Sequence, residues 1–549
     1  MLVRPAADDL RTIGSALGRI FLVVAAASLV PTAWAIAGKE WNPLGSFLLM
    51  GSVFALMGVT LLRVSLAPRS GITTDQRHLE WSHGMVVVAL TWLIVPLIGS
   101  IPFVPSGHYA SGLDAYFDSM SGLTTTGLAL VQDLDHLASS LNFWRHLLHF
   151  LGGQGIIIAA LLLFGGRGML TLFRGEGRED RLLPSVRSTA RAIWAISAIH
   201  LVVGVLALGA VAWIVLGFSW RRSLFHGLMI FFAAFDTGGF APQSTSLGYY
   251  HSGVFESVTA VLMVAGALSF GFHFRLWTGV NRAWKPALSR LKASVMNRFA
   301  GDDPDADETS WQEWRPGAGR SDRTRSLFKN LETRSILVTF LATLVLTMFG
   351  LAAIGLYTSV GGLSRQGFFQ VLSAHTGTGF ATVPSSELIH WSGLAFGGMA
   401  IAMALGGMAS STAGGVKALR VGLTVRAVTD DVREALLPEG ALVDTGYYQF
   451  GRRRLTPEVA RSATIVSLLF VALFLLGTGV AIAYGVPLEQ ALFESISAGA
   501  SVGLSVGVTS PTMPLLLKLT YIAQMYLGRL EFIAVFVLFG FVYSMMRGK

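Results

Sequence analysis

The sequence predicts an all-α polytopic membrane protein: four pseudo-repeated helix–pore loop–helix units around a central pore, plus two N-terminal transmembrane helices. Three observations carry this expectation. Of the 549 residues, 52% are hydrophobic and 13% are charged, about half the charged share of a soluble domain. Apolar runs of about 20 residues, the length that crosses a bilayer core, recur along the whole chain. Four shorter apolar stretches, in alternate loops, run into one glycine-bearing pattern.

The long runs place spans near 14–37, 43–63, 81–102, 140–164, 192–217, 253–279, 335–357, 389–416, 463–485 and 517–545. The first run lacks a set-off small-residue cleavage site and reads as a true span, not a signal peptide. With these spans, the loops 63–80, 165–191, 280–334 and 417–462, together with both termini, hold 32 of the 41 Lys and Arg. The opposite loops hold four: Lys39, Arg221, Arg222 and Arg365. Basic residues collect on the cytoplasmic side, so both termini are expected there, in a multi-pass cell (inner) membrane protein. The net charge of +9 is then a topology signal, and no nucleic-acid partner is expected. The absence of cysteine excludes disulfides, thiolate metal sites and thiol catalysis.

The short stretches are 113–123, 223–235, 365–375 and 489–499. About 11 residues is too short to span and suits a re-entrant helix. Each stretch runs into a small polar segment: TTTGLA (124–129), DTGGFA (236–241), TGTGFA (376–381) and ASVGLS (500–505). Aligned on Gly127, Gly239, Gly379 and Gly503, the position ten residues earlier is Phe117, Met229, Phe369 and Phe493. Six residues earlier stand Ser121, Ala233, Ser373 and Ser497. A register held over four copies is an internal repeat. It divides the chain into an N-terminal helix pair (1–66), repeat 1 (67–165), repeat 2 (166–280), a cytoplasmic linker (281–334), repeat 3 (335–420), a second linker (421–462) and repeat 4 (463–549).

Backbone at membrane depth must be hydrogen-bonded or line a wet cavity. Four such loops meeting on one axis can replace the hydration shell of a cation with carbonyl oxygens. Glycine permits the backbone angles that aim carbonyls inward. Oxygen ligands without a ring of carboxylates suit an alkali cation better than Ca²⁺ or Mg²⁺. An enzyme would need converging titratable groups in the spans, which this sequence does not offer. An ion-coupled secondary transporter would be expected to show two inverted halves, whereas this repeat is fourfold and parallel.

These residues resemble the Trk/Ktr/HKT superfamily of K⁺ and Na⁺ transporters, from about residue 80 to the end. SGLTTTG (121–127) resembles its first pore loop and FWRHLLHFLGGQGIIIAAL (143–161) the helix after it. GGMASSTAGGVKALR (406–420) resembles the segment interrupting the inner helix of the third repeat, and LGRLEF (527–532) the arginine-bearing helix of the fourth. The two additional N-terminal spans are most like a bacterial Trk-type potassium uptake subunit, although GASVGLSVGVT in the fourth loop is closer to Ktr. The resemblance implies K⁺ uptake through a four-loop selectivity filter, with glycine at all four positions going with K⁺ preference. The alternative is a Na⁺-permeable or H⁺/Na⁺-coupled symporter of the same fold. Carried over by motif, the K⁺ ligands would be Thr125, Thr126 and Gly127; Thr237, Gly238 and Gly239; Gly377, Thr378 and Gly379; and Ser501, Val502 and Gly503. The family also implies a homodimer and a cytoplasmic ring of nucleotide-binding (RCK-type) regulatory subunits. No cofactor is expected on this chain, K⁺ being the transported ion, and no structural metal.

The third inner span carries Gly406, Gly407, Gly414 and Gly415 with Ser410, Ser411 and Thr412. Each glycine lowers helix propensity by about 1 kcal/mol, so a break is expected here. With Lys417 and Arg529, the segment is the candidate gate. It is not a phosphate loop, since no glycine directly precedes Lys-Ser or Lys-Thr. Arg529, in the last span, is costly there and is expected to face a cavity or partner. Lys518 is expected to snorkel to the outer interface, and His146 and His149 to sit at the interface. Asp236 is expected to add negative potential at the outer mouth. DDPDADE (302–308) has alternate aspartates, but Glu308 and Trp314 stand where a calcium loop needs glycine and glutamate; it reads as a solvated acidic linker.

Overall fold

A computed structural model describes residues 5–66, 80–155, 186–280, 327–357, 359–438 and 445–548. The chain is a polytopic helical membrane protein. Six helices within these residues are long and apolar enough to cross a bilayer, and two further pairs qualify only as bent spans. The acidic stretch 302–308 lies outside the described residues. A small antiparallel ribbon pairs Gly446–Tyr448 with Arg452–Arg454, a departure from an all-helical chain in the second linker.

The N-terminal pair is Ala7–Ala27, continued by Leu29–Gly38, against Trp41–Leu66. The two arms touch at Gly18 and Gly58: a Cβ built on either would stand 2.9 Å from the other's carbonyl oxygen. Small residues let membrane helices approach this closely. The pair docks on the first unit through Glu40, whose carboxylate accepts from the Ser139 and Ser140 amides at 2.9 Å each. A carboxylate at a helix start satisfies amides that lack an intrahelical partner.

Each of the four units has a membrane helix, a short re-entrant helix and an inner helix. The re-entrant helices are Gly112–Leu123, Trp220–Phe235, Val360–His375 and Leu488–Gly499. Their repeated aromatic or Met position is core: Phe117, Met229, Phe369 and Phe493 are all buried. The helix starts are exposed in part and the ends are buried, so each re-entrant helix runs from the periphery to the centre of the molecule.

Two inner helices depart from the expected unbroken spans, and the third breaks where a break was expected. The run expected at 253–279 divides into Gly253–Ala267 and Phe270–Trp277, bent by 104°. The run expected at 517–545 divides into Leu515–Arg529 and Ile533–Arg547, bent by 107°. The third divides at the glycine-rich segment, into Gly393–Ala404 and Ala418–Leu436. The break at 530–532 is made with non-glycine residues in left-handed conformation, Glu531 (φ 51°) and Phe532 (φ 71°). Such conformations are uncommon for residues with a Cβ and persist only where surroundings hold them. Here Glu531 is held by an ion pair with Arg420.

Candidate functional site

All four re-entrant helices end in the same hydrogen-bond pattern. The amides of Thr126, Gly238, Thr378 and Val502 donate to the carbonyls of Ser121, Ala233, Ser373 and Ser497, at 2.8–3.0 Å. The amides of Thr125, Thr237, Gly377 and Ser501 donate to Gly122, Ala234, Ala374 and Ala498, at 3.1–3.3 Å. This pair of bonds is the Schellman ending of a helix, which requires a left-handed residue just past the end. That residue is Thr125 (φ 54°), Thr237 (φ 50°), Gly377 (φ 71°) or Ser501 (φ 54°). Only the third unit uses glycine there. Two residues later Gly127, Gly239, Gly379 and Gly503 are left-handed again, at φ 72–93°.

The four loops close into a ring. A Cβ built on Gly127 would stand 2.3 Å from the Gly238 carbonyl oxygen, and one on Gly239 would stand 2.1 Å from that of Thr378. One on Gly379 would stand 1.8 Å from the Val502 oxygen, and one on Gly503 would stand 2.1 Å from the Thr126 oxygen. Loop 1 thus meets loop 2, loop 2 meets loop 3, loop 3 meets loop 4 and loop 4 meets loop 1. All twelve residues singled out in the sequence, 125–127, 237–239, 377–379 and 501–503, belong to this ring.

The glycine-rich segment lies against the inner end of the ring. The Thr412 hydroxyl donates to the Phe235 and Gly266 carbonyls at 3.0 and 2.9 Å, and the Thr237 hydroxyl donates to it at 3.2 Å. A Cβ on Gly377 would be 3.5 Å from the Ala413 methyl, and one on Gly414 would be 2.2 Å from the Ala500 carbonyl oxygen. The remaining loop is reached through Arg529. Its guanidinium donates to the Thr125 hydroxyl (3.0 Å), the Thr412 carbonyl (2.6 Å) and the Gly152 carbonyl (2.9 Å). The segment therefore touches every loop of the ring, directly or through one arginine.

The segment itself is pinned at both ends. Leu405 and Val416 form a parallel bridge, and a Cβ on Gly406 would meet the Gly414 carbonyl oxygen at 1.8 Å. Gly407 lies under the Ala267 carbonyl, 2.8 Å from where its Cβ would be, and Gly415 is left-handed at φ 69°. Ser410 is left-handed at φ 56°, and the Ser411 hydroxyl donates to the Met408 carbonyl at 2.6 Å. Lys417 is buried and donates back to the Ala413 carbonyl. On the linker side, the Ala409 amide donates to the carboxylate of Glu332. A cavity beside this segment is lined by Trp92, Gly152, Ser411, Gly415, Lys417 and Arg529 among others.

Several expectations are corrected. Lys518 does not snorkel outward: it is buried and pairs with Asp114 at 2.5 Å, because a carboxylate in the first turn of the first re-entrant helix offers it a partner inside. His146 and His149 are fully buried, not interfacial. The His149 Nδ1 lies 2.6 Å from the Gly122 carbonyl, and its ring packs on Phe240 at 4.2 Å; a Cβ on Gly238 would strike that ring at 2.6 Å. Asp236 is not at the outer mouth. It caps the inner end of its re-entrant helix, buried, and accepts from the Gln154 amide at 2.6 Å. Gln154 ends a helix that starts at Ser139 beside the outer loop, so this contact lies deep. Arg529 faces the cavity beside the glycine-rich segment, as expected, and Glu531 pairs with Arg420.

The sequence reading missed three glycines on the inner helices. A Cβ on Gly152, Gly266 or Gly528 would stand 1.7–2.1 Å from the carbonyl oxygen of Leu123, Phe235 or Gly499, the same position of its own re-entrant helix. Their signal was present as glycine within an apolar run, but that pattern does not say what approaches.

A ring of four backbone loops at the centre of a helical membrane protein, with an interrupted helix against its inner end, defines the class: a polytopic transport protein. The chain belongs to the TrkH family of cation transport proteins, which matches residues 51–299 and 319–544. It is 27% identical over 538 residues to an uncharacterized cation transporter of Methanocaldococcus jannaschii, covering 97% of this chain and 96% of that one. It is 26% identical over 475 residues to the Trk system potassium uptake protein TrkH of Escherichia coli K12, covering 85% and 86%. The crystal structure of the potassium transporter TrkH from Vibrio parahaemolyticus superposes with a TM-score of 0.70 at 21% identity, over 96% of this chain and 98% of that one.

Proposed function

We propose that this chain takes up K⁺ across the cell membrane through a selectivity filter formed by the four loops. The observation that carries the reading is the closed ring, in which each of Gly127, Gly239, Gly379 and Gly503 abuts a backbone carbonyl of the next loop. Left-handed residues alternate with the positions between them at 125 and 127, 237 and 239, 377 and 379, and 501 and 503. Alternation of this kind turns successive carbonyls to one side, the geometry a dehydrated cation needs. Thr125, Thr126, Thr237, Gly238, Gly377, Thr378, Ser501 and Val502 would supply backbone oxygens. Relatives named as potassium uptake proteins support K⁺ as the ion.

The segment Gly406–Gly415 acts as the gate, together with Lys417 and Arg529. Its contact with three loops of the ring directly and with the fourth through Arg529 supports a barrier on the conduction path, and Arg529 adds a positive charge that repels a cation in a medium of low dielectric. A homodimer, cytoplasmic termini and a cytoplasmic nucleotide-binding ring that biases the gate complete the proposal; the basic linkers face that side under the positive-inside rule. No cofactor is needed on this chain.

The test is Rb⁺ and Na⁺ uptake by the purified chain in proteoliposomes, with and without a pH gradient. Selective uptake of Rb⁺ that collapses with the electrical gradient alone is the expected result. Uptake that favours Na⁺, or that requires a proton gradient, refutes K⁺-selective passive flow.

A further inference from the structure

Nine residues before each ring glycine, on the re-entrant helix, stand Asp118, Ile230, Gln370 and Glu494, all fully buried. Three residues after each glycine, on the limb that leaves the ring, stand Leu130, Pro242, Thr382 and Val506. In three units the side chain accepts from the amide across this gap. Leu130 donates to the Asp118 carboxylate at 2.9 Å, Thr382 to the Gln370 carboxamide oxygen at 3.1 Å, and Val506 to the Glu494 carboxylate at 3.1 Å. In the second unit the acceptor has become isoleucine, and the amide it would have held is gone, because proline carries no N–H. The pairing is therefore matched in all four units: acceptor with donor three times, neither once.

A buried amide without a partner is costly. Donor and acceptor are lost together, in the same unit, so no unit is left with a stranded partner. The limb held in this way runs directly out of the ring glycine, so its position sets how far the ring carbonyls can relax. We propose that Asp118, Gln370 and Glu494 are positioning residues for ion selection. Each fixes the outgoing limb of its loop, and so holds the carbonyl cage at the size that discriminates between alkali cations. In the second unit the fixed φ of Pro242 does the same work, aided by the Asn142 amide, which donates to the Pro242 carbonyl at 3.0 Å. Asp118 also accepts from Tyr109 and Arg145 at 2.9 and 2.8 Å. Glu494 accepts from the Ser505 hydroxyl and the Thr509 amide at 2.6 and 2.7 Å. Gln370 holds the limb by a single bond and is the clean place to test.

The inference rests on the reading of the ring as a filter, and the experiment separates the two. Rb⁺ and Na⁺ uptake is measured in proteoliposomes for the full chain and for Gln370→Ile, Thr382→Pro, Gln370→Ile/Thr382→Pro and Gln370→Glu, with Gly379→Ser as the report on the ring itself. Each single change that strands one partner, Gln370→Ile or Thr382→Pro, should lower the Rb⁺/Na⁺ ratio several-fold. The double change, which rebuilds the second unit's pair behind the same preceding alanine (Ala241 and Ala381), should recover most of the ratio, and Gln370→Glu should keep it. A merely structural residue would lower the yield of folded protein and total uptake without moving the ratio. If Gly379→Ser shifts the ratio while Gln370→Ile and Thr382→Pro leave it at the parent value, or if the double change is no better than the singles, the positioning role is wrong and the filter stands. If Gly379→Ser also leaves the ratio unchanged, both fall.

Discussion

Replacing Gly127 by serine puts a side chain where the ring has no room. Its Cβ would stand 2.3 Å from the Gly238 carbonyl oxygen, about 1.1 Å inside the 3.4 Å at which ordinary contact begins. The obstacle is backbone of the neighbouring loop, which cannot rotate aside as a side chain can. Gly127 also has φ 92°, and a Cβ on a left-handed residue costs about 1–2 kcal/mol. Either loop 1 abandons that conformation or the Gly238 carbonyl retreats; both spoil the fit of the oxygens to one ion size. A differential penalty of about 1.4 kcal/mol between two ions is a factor of ten, so the Rb⁺/Na⁺ uptake ratio should fall by about tenfold. The same geometry ranks the four sites. Gly379 is the tightest at 1.8 Å, Gly239 and Gly503 follow at 2.1 Å, and Gly127 is the loosest. Gly379→Ser should therefore be the most damaging and Gly127→Ser the mildest. The assay is paired Rb⁺ and Na⁺ uptake on variants that elute as folded protein. A folded Gly127→Ser variant with the parent ratio, or a ranking that runs the other way, refutes the reasoning.

Arg529→Ala should raise basal flux, because it removes both a positive charge and the tie between Thr125 and Thr412. Deleting Ala409–Ala413 should do so too, with the combined effect less than additive since one barrier is involved; folded variants no faster than the parent would make the segment a packing device. Asp236→Asn should change flux equally at low and high ionic strength, because the carboxylate is buried against Gln154 and salt screens only exposed charge; a salt-dependent effect would return it to the mouth. Lys518→Met should destabilise the fold by about 3–5 kcal/mol through the buried charge left on Asp114. Adding Asp114→Asn should recover most of that loss in thermal melts in detergent, and a second change that only adds further loss would refute the pairing.

The membrane class and the four-unit organisation were legible because both rest on periodic features. Apolar length marks the spans, and the register of Gly127, Gly239, Gly379 and Gly503 marks the repeat. The four ring glycines were legible for the same reason, as members of one repeated pattern, whereas the positions before them, 125–126, 237–238, 377–378 and 501–502, came from the family resemblance. What was not legible was where polar side chains find partners across the fold. Lys518 and Asp114 are 404 positions apart, and His149 meets Phe240 from another unit; nothing in either neighbourhood names the other. The left-handed conformation of Thr125, Thr237 and Ser501 was equally hidden, since threonine and serine carry no sequence mark for it. It follows from the Schellman ending of each re-entrant helix.

The broken inner helices show why that hidden layer bears on transport. Among the described residues three of them are interrupted, and two of the interruptions, at 268–269 and 530–532, lack the glycine run that announces the third. An interruption frees carbonyls and amides that a bilayer cannot satisfy. Here they are used by the other units: Thr412 bonds the Gly266 carbonyl, and the Met408 amide bonds the Ala267 carbonyl. The break in the second unit is thus a dock for the segment released by the break in the third. Arg529, at the break of the fourth, clasps that same segment. Three interruptions that look independent in the sequence converge on one loop, so its position cannot change without rearranging bonds in units two and four. If this loop is the gate, as proposed above, a partner that binds one arrangement of it better than another would set its population.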